Sequence, residues 1–135
     1  MSVISSRTNT VVATIPVGRG PFGVAADPRT STIYVANAAS GTVSVISGRT
    51  NTVVATIPAG IGPYGVAANP RTNTIYVTNS ADNTVSVISG RTNTVVATIA
   101  VGTDPLGVAA NPRTSTVYVA NDLDNTVSVL TSCHR

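Results

Sequence analysis

Apolar residues in this chain fall in short runs separated by polar clusters, and no stretch shows the three-to-four-residue spacing of a helix face. Tyr64-Gly65-Val66-Ala67-Ala68, Thr74-Ile75-Tyr76-Val77-Thr78, Thr84 to Ser89 and Thr94 to Ile99 form one succession of such runs. Their boundaries are Gly62-Pro63, Asn69-Pro70-Arg71-Thr72, Asn79 to Asn83 and Gly90-Arg91-Thr92-Asn93. β-branched residues inside the runs and Asn, Pro and Gly between them predict four hairpin-connected strands, A to D. Two of these strands do not alternate cleanly: Ile75, Tyr76 and Val77 are consecutive, as are Val95, Val96 and Ala97. That pattern predicts sheets covered on both faces, as when sheets stand beside one another around a ring. A two-layer sandwich predicts stricter alternation. Strand A, nearly all Gly and Ala, suits the crowded innermost place beside a central channel.

The unit repeats. Gly23, Gly65 and Gly107 are 42 residues apart, as are Tyr34, Tyr76 and Tyr118, and Val43 to Ile57 recurs almost unchanged as Val85 to Ile99. A period near 42 matches the ~40–45 residues of a four-stranded propeller blade. The predicted fold is therefore all-β, built of β-propeller blades at about three repeats per chain. Blades are expected over residues 21–57, 63–99 and 105–131, the third lacking its D strand. An orphan D strand lies at residues 10–15, complementary to that gap. Three blades fall below the ~4–8 of known rings, whereas two chains supply six. A homodimer closing one six-bladed propeller is expected, each N-terminal strand completing the other copy's third blade. Ser2 to Ser5 duplicates strand C at that seam, so residues 1–6 are expected to be displaced. The alternative is a piece excised from a longer propeller.

The runs Ile75-Tyr76-Val77-Thr78-Asn79, Ile33-Tyr34-Val35-Ala36-Asn37 and Val117-Tyr118-Val119-Ala120-Asn121 carry a likeness. With Pro63-Tyr64-Gly65-Val66-Ala67 and Asn83-Thr84-Val85-Ser86-Val87-Ile88, this repeat resembles the YVTN family of β-propellers over essentially the whole chain. The resemblance implies a propeller fold and a secreted or cell-surface setting. The family spans surface-layer proteins and lactonase-like propellers, so the resemblance names no single activity. Relatives usually carry six or seven repeats, and this chain carries about three.

Composition adds the charges. Charged residues are 10% of the chain, Glu, Lys and Trp are absent, and net charge is +3. Met1 to Ser5 shows no basic segment followed by a long apolar one, and no apolar run nears the ~18 residues of a membrane span, so no membrane insertion is expected. Antiparallel order places A–B and C–D turns on one side of the ring. Arg29, Arg71 and Arg113 fall in the former and Arg7, Arg49 and Arg91 in the latter, giving a possible binding face for a protein or an anionic surface. Duplicated turns that keep the protein in solution account for the same arginines. Nucleic-acid binding is not indicated, since no exposed aromatics interleave with the arginines.

Asp82, Asp122 and Asp124 in B–C loops and Asp104 in a D–A loop belong to the opposite side. Asp104, Asp122 and Asp124 are candidate hard-oxygen ligands for a divalent cation such as calcium, although turn geometry uses the same residues. No other cofactor is indicated. No nucleophile–base pair is visible: His134 is the sole histidine, and neighbours in an extended segment, as Cys133 and His134 are expected to be, point opposite ways. Tyr34, Tyr76 and Tyr118 are expected in the core, Phe22, Tyr64 and Leu106 at the start of strand A, either ringing the channel mouth or packing below the loops, and Asn37, Asn79 and Asn121 as clamps on the B–C loops. Three functional readings follow. A non-enzymatic binding or scaffold module leads, followed by a lactonase-like hydrolase using the acidic channel mouth and a structural piece of a surface layer.

Overall fold

The computed structural model describes residues 1–131; Cys133 and His134 lie outside the described residues. A two-stranded hairpin, β1 (Ser2–Ser5) and β2 (Thr10–Thr14), precedes two four-stranded antiparallel sheets and a three-stranded one. Blade I is β3 (Pro21–Asp27), β4 (Thr32–Asn37), β5 (Thr42–Ser47) and β6 (Thr52–Pro58) in simple meander order. Blade II follows as β7 (Pro63–Asn69), β8 (Thr74–Asn79), β9 (Thr84–Ser89) and β10 (Thr94–Ala100). Blade III has β11 (Pro105–Asn111), β12 (Thr116–Asn121) and β13 (Thr126–Thr131), with a single 3-10 turn at Asp122–Asp124.

The turns explain the polar composition. Each connection forces one residue into the left-handed region, open at low cost to Gly and Asn. Asn9, Asn51 and Asn93 hold it in the C–D turns at φ of 55–56°, and Gly41, Asn83 and Asn125 hold it in the B–C loops. The expected amide clamps are present. Asn79 Nδ2 donates to Thr84 Oγ1 at 3.2 Å and Ser86 Oγ at 2.9 Å, and Asn37 and Asn121 repeat the pair of bonds.

Sheets stack side by side, with β3 against β7 and β7 against β11. Strands β4 and β8 are covered on both faces, as the consecutive apolar run requires. One core joins Tyr34, Val43, Val45 and Ile57 of blade I to Ile75, Val77 and Ile88 of blade II, and another joins Tyr76 and Val85 to Val117 and Val119. The D strands differ from the expectation of two-sided cover. Val12, Val54 and Val96 are 58–60% exposed. Each sits at a bulge where the ladder skips from the first valine to the alanine, so the second valine is turned out to solvent.

Burial, and then the nearby Asp27 charge, raises the Tyr34 phenol above its ordinary 10.0. A raised folded-state value gives stability that is whole below the unfolded value and is lost as pH rises past it. The melting temperature is expected to hold up to about pH 10 and to fall beyond it, and Tyr34→Phe should flatten that fall. Thermal melts across the alkaline range check this.

Candidate binding faces

The A–B and C–D turns share one side of the molecule, and hydrogen bonds stitch them together. Gly48 N–H donates to Ser31 O at 2.7 Å, and Gly90 N–H donates to Asn73 O at 2.8 Å. All six turn arginines named from the sequence lie on these turns. Arg29 Nη1 reaches the next blade's turn at Pro70 O (3.4 Å), and Arg71 Nη1 reaches Pro112 O (3.4 Å). Arg29, Arg71 and Arg91 thereby converge, with Thr72 and Asn73, on one pocket of about 370 Å³. Among the described residues Asp27 is the lone acid of this side and is buried, its Oδ1 accepting from Arg29 N–H at 3.0 Å. Asn69 and Asn111 make the same bond to the amides of Arg71 and Arg113, so the place is a turn position that Asp27 fills. Among the described residues none of the six guanidinium groups is ion-paired.

On the opposite side, carboxylates hold loops. Asp82 Oδ2 accepts from Ile61 N–H and Asp124 Oδ2 from Thr103 N–H, each at 2.8 Å, as Ser40 Oγ does from Arg19 N–H in the first repeat. Asp104 occupies the left-handed position (φ 56°) that Gly20 and Gly62 occupy in the other repeats. Asp122 N–H donates to Asp104 O at 3.0 Å, so the two loops touch through backbone. Among the described residues no three His, Cys, Asp or Glu side chains gather to hold a metal ion. Arg19 stands on this side too, which reading charge by turn type left out.

At the starts of β3 and β7 Phe22 stacks on Tyr64 with ring centroids 4.5 Å apart. Sequence reasoning missed Thr78. Its Oγ1 accepts from Gly65 N–H and donates to Leu106 O, each at 2.8 Å, tying two inner strands together. Ala36 and Ala120 hold the equivalent places; that departure from alanine was the available signal.

The two ends of the blade row form a third surface. Tyr34 and Tyr76 are 1% and 6% exposed, while the equivalent Tyr118 is 43% exposed. Val43 and Val85 are fully buried and Val127 is 60% exposed. At the other end Val24 is 58% exposed where Val66 is 9%. There an apolar pocket of about 470 Å³ opens between the N-terminal hairpin and blade I, lined by Val3, Ile15, Val24, Ile33 and Ile46 among others. The same residue types are thus covered where a blade follows and bare where none does.

No family model matches the chain, and no curated protein matches it. Among solved structures it is similar to Kuenenia stuttgartiensis hydrazine synthase, with TM-score 0.80 and 26% identity over 88% of this chain and 34% of that one. It is also similar to a functionally unknown protein from Desulfotomaculum acetoxidans DSM 771, with TM-score 0.76 and 20% identity over 95% of this chain and 46% of that one. The chain spans less than half the length of either. Repeated four-stranded antiparallel sheets together with these likenesses give the chain a β-propeller-like repeat fold.

Proposed function

We propose that the chain is a non-enzymatic binding module of YVTN-like propeller type that closes as a six-bladed ring of two copies. Its arginine side then meets an acidic partner. The observation that carries the proposal is Tyr118, half-bare where Tyr34 and Tyr76 are sealed by the next blade. A second copy offers the surface that seals it, because Val24 and its neighbours at the other end match what blade II and blade III present inside the chain. Two such seams close a ring, and the ring repeats the Arg29, Arg71 and Arg91 pocket around one side. Among the described residues that side bears guanidinium groups without an ion pair and a single, buried carboxylate, which favours anions.

Light scattering on a size-exclusion column tests the ring: twice 13.6 kDa is expected, and a stable single-chain mass overturns it. Binding is tested with a polyglutamate chain. Retention that weakens as salt rises is expected, and replacing Arg29, Arg71 and Arg113 together with Ser should abolish it. Unchanged retention in that variant overturns the arginine side as the binding surface.

A further inference from the structure

Six four-stranded blades hold twenty-four strands, but the thirteen strands of the described residues bring twenty-six from two copies, leaving one strand over in each copy. We infer that β1 is that strand: it covers the edge of β2 in a single chain and is driven off by β13 of the second copy when the ring closes. The inference rests on the two-copy ring proposed above and adds the register in which β13 replaces β1 on β2.

Registers make β1 and β13 rivals for the same edge. In blade I Val45 pairs with Ala55, and in blade II Val87 pairs with Ala97. Carried through the 42-residue repeat, Val129 of β13 pairs with Ala13 of the other copy's β2. Within the single chain Ala13 is taken by Val3, with the same bulge at Val12. One strand edge cannot serve both.

Anchoring decides which rival leaves. β13 is joined to β12 over six residue pairs and is clamped by buried Asn121, whose Nδ2 donates to Thr126 Oγ1 at 3.2 Å and Ser128 Oγ at 2.9 Å. β1 pairs with β2 over four residues, extended by the Met1–Ile15 backbone bonds of 2.8 and 2.9 Å, and has no strand on its other side. Expelling β1 breaks one ladder and an equivalent one forms with β13, so backbone hydrogen bonding nearly balances. The gain is apolar cover for Tyr118, Val127, Val129 and Val24, all of them largely bare in the single chain. On the other side of the balance, Ile4 of β1 is already 64% exposed, and the place of Val3 against Ile15, Val35 and Ile46 passes to its repeat equivalent Val129.

Residues directly opposite on antiparallel strands lie within disulfide reach, so engineered cysteine pairs read the exchange in a Cys133→Ser background. Val45→Cys with Ala55→Cys, inside blade I, is the folding and oxidation control. Ala13→Cys with Val129→Cys is expected to give a covalently linked dimer on oxidation. Ala13→Cys with Val3→Cys is expected to lock the hairpin and hold the chain at 13.6 kDa until reductant restores the larger mass. Deleting residues 1–5 removes the rival and is expected to tighten self-association about tenfold. A single-chain mass for the unmodified protein takes down the ring and the exchange together. A two-copy mass in which Ala13 and Val129 fail to link, or in which the Val3–Ala13 disulfide forms without loss of the dimer, overturns the exchange and leaves the ring standing. Weaker association after the deletion also overturns it.

Discussion

Gly65→Ala is expected to destabilise the fold markedly, whereas Gly107→Ala leaves the fold intact and leaves the protein monomeric. A Cβ on Gly65 would overlap the Leu106 carbonyl oxygen and press Thr78 Oγ1 and Val108 Cγ1, both at 3.2 Å. The obstruction is backbone on the neighbouring inner strand, which cannot rotate aside as a side chain can, and overpacking of this kind costs about 1–3 kcal/mol or more. Gly23 meets the Tyr64 carbonyl oxygen in the same way one blade earlier. At Gly107 the nearest atom to such a Cβ is Ala120 Cβ at 3.9 Å, ordinary contact. Closing the ring would bring the Phe22 carbonyl of the second copy to the place that Leu106 O takes beside Gly65. Circular dichroism with light scattering checks both halves. A Gly107→Ala protein that still has the two-copy mass counts against ring closure through the inner strands.

The second large effect belongs to the tyrosine column. Tyr34→Ala is expected to cost about 3–5 kcal/mol, the usual range for emptying a buried aromatic site. Tyr34 is 1% exposed and sits in the core shared by blades I and II, so few atoms can collapse into the space. Tyr118→Ala should cost far less within one chain, because that ring is already 43% exposed. In the proposed ring its loss appears as weaker association, so the melting temperature of Tyr118→Ala should depend on protein concentration more steeply than that of the parent. Urea unfolding of each variant at two protein concentrations separates the two effects. A small loss at Tyr118 that does not change with protein concentration would show that no second copy covers it.

Much of this was legible in the sequence because the repeat averages out local ambiguity. Two Ile-Tyr-Val runs and the equivalent Val117-Tyr118-Val119 fix strand B, and the Asn residues at equivalent turns announce the left-handed positions seen at Asn9, Asn51 and Asn93. The D strands read differently. Val95-Val96-Ala97 has the composition of a strand buried on both faces, but a bulge turns Val96 outward, and apolar residues at a bulge leave no mark in a pattern of residue types. Among the acids, Asp104 reads as a potential ligand by chemistry alone, yet its backbone takes the conformation that glycine takes in the other repeats. The Arg29, Arg71 and Arg91 grouping depends on one blade's turn lying beside the next, which the repeat orders along the chain without setting the spacing across blades. Thr78 stood out as a departure from alanine, but its role depends on the carbonyl of Leu106, a residue 28 positions away.

The two bare ends are unlike each other: Tyr118, Val127 and Val129 at one, Val24 and the pocket beside Ile33 at the other. In the proposed assembly such surfaces would meet head to tail and not head to head, so the rotation from one blade to the next would determine what they build. At a rotation that returns to its start after two copies, growth stops. A substitution that tightened or relaxed the packing between blades would leave every contact in place and remove the stopping point, and the same chain would then grow as an open filament.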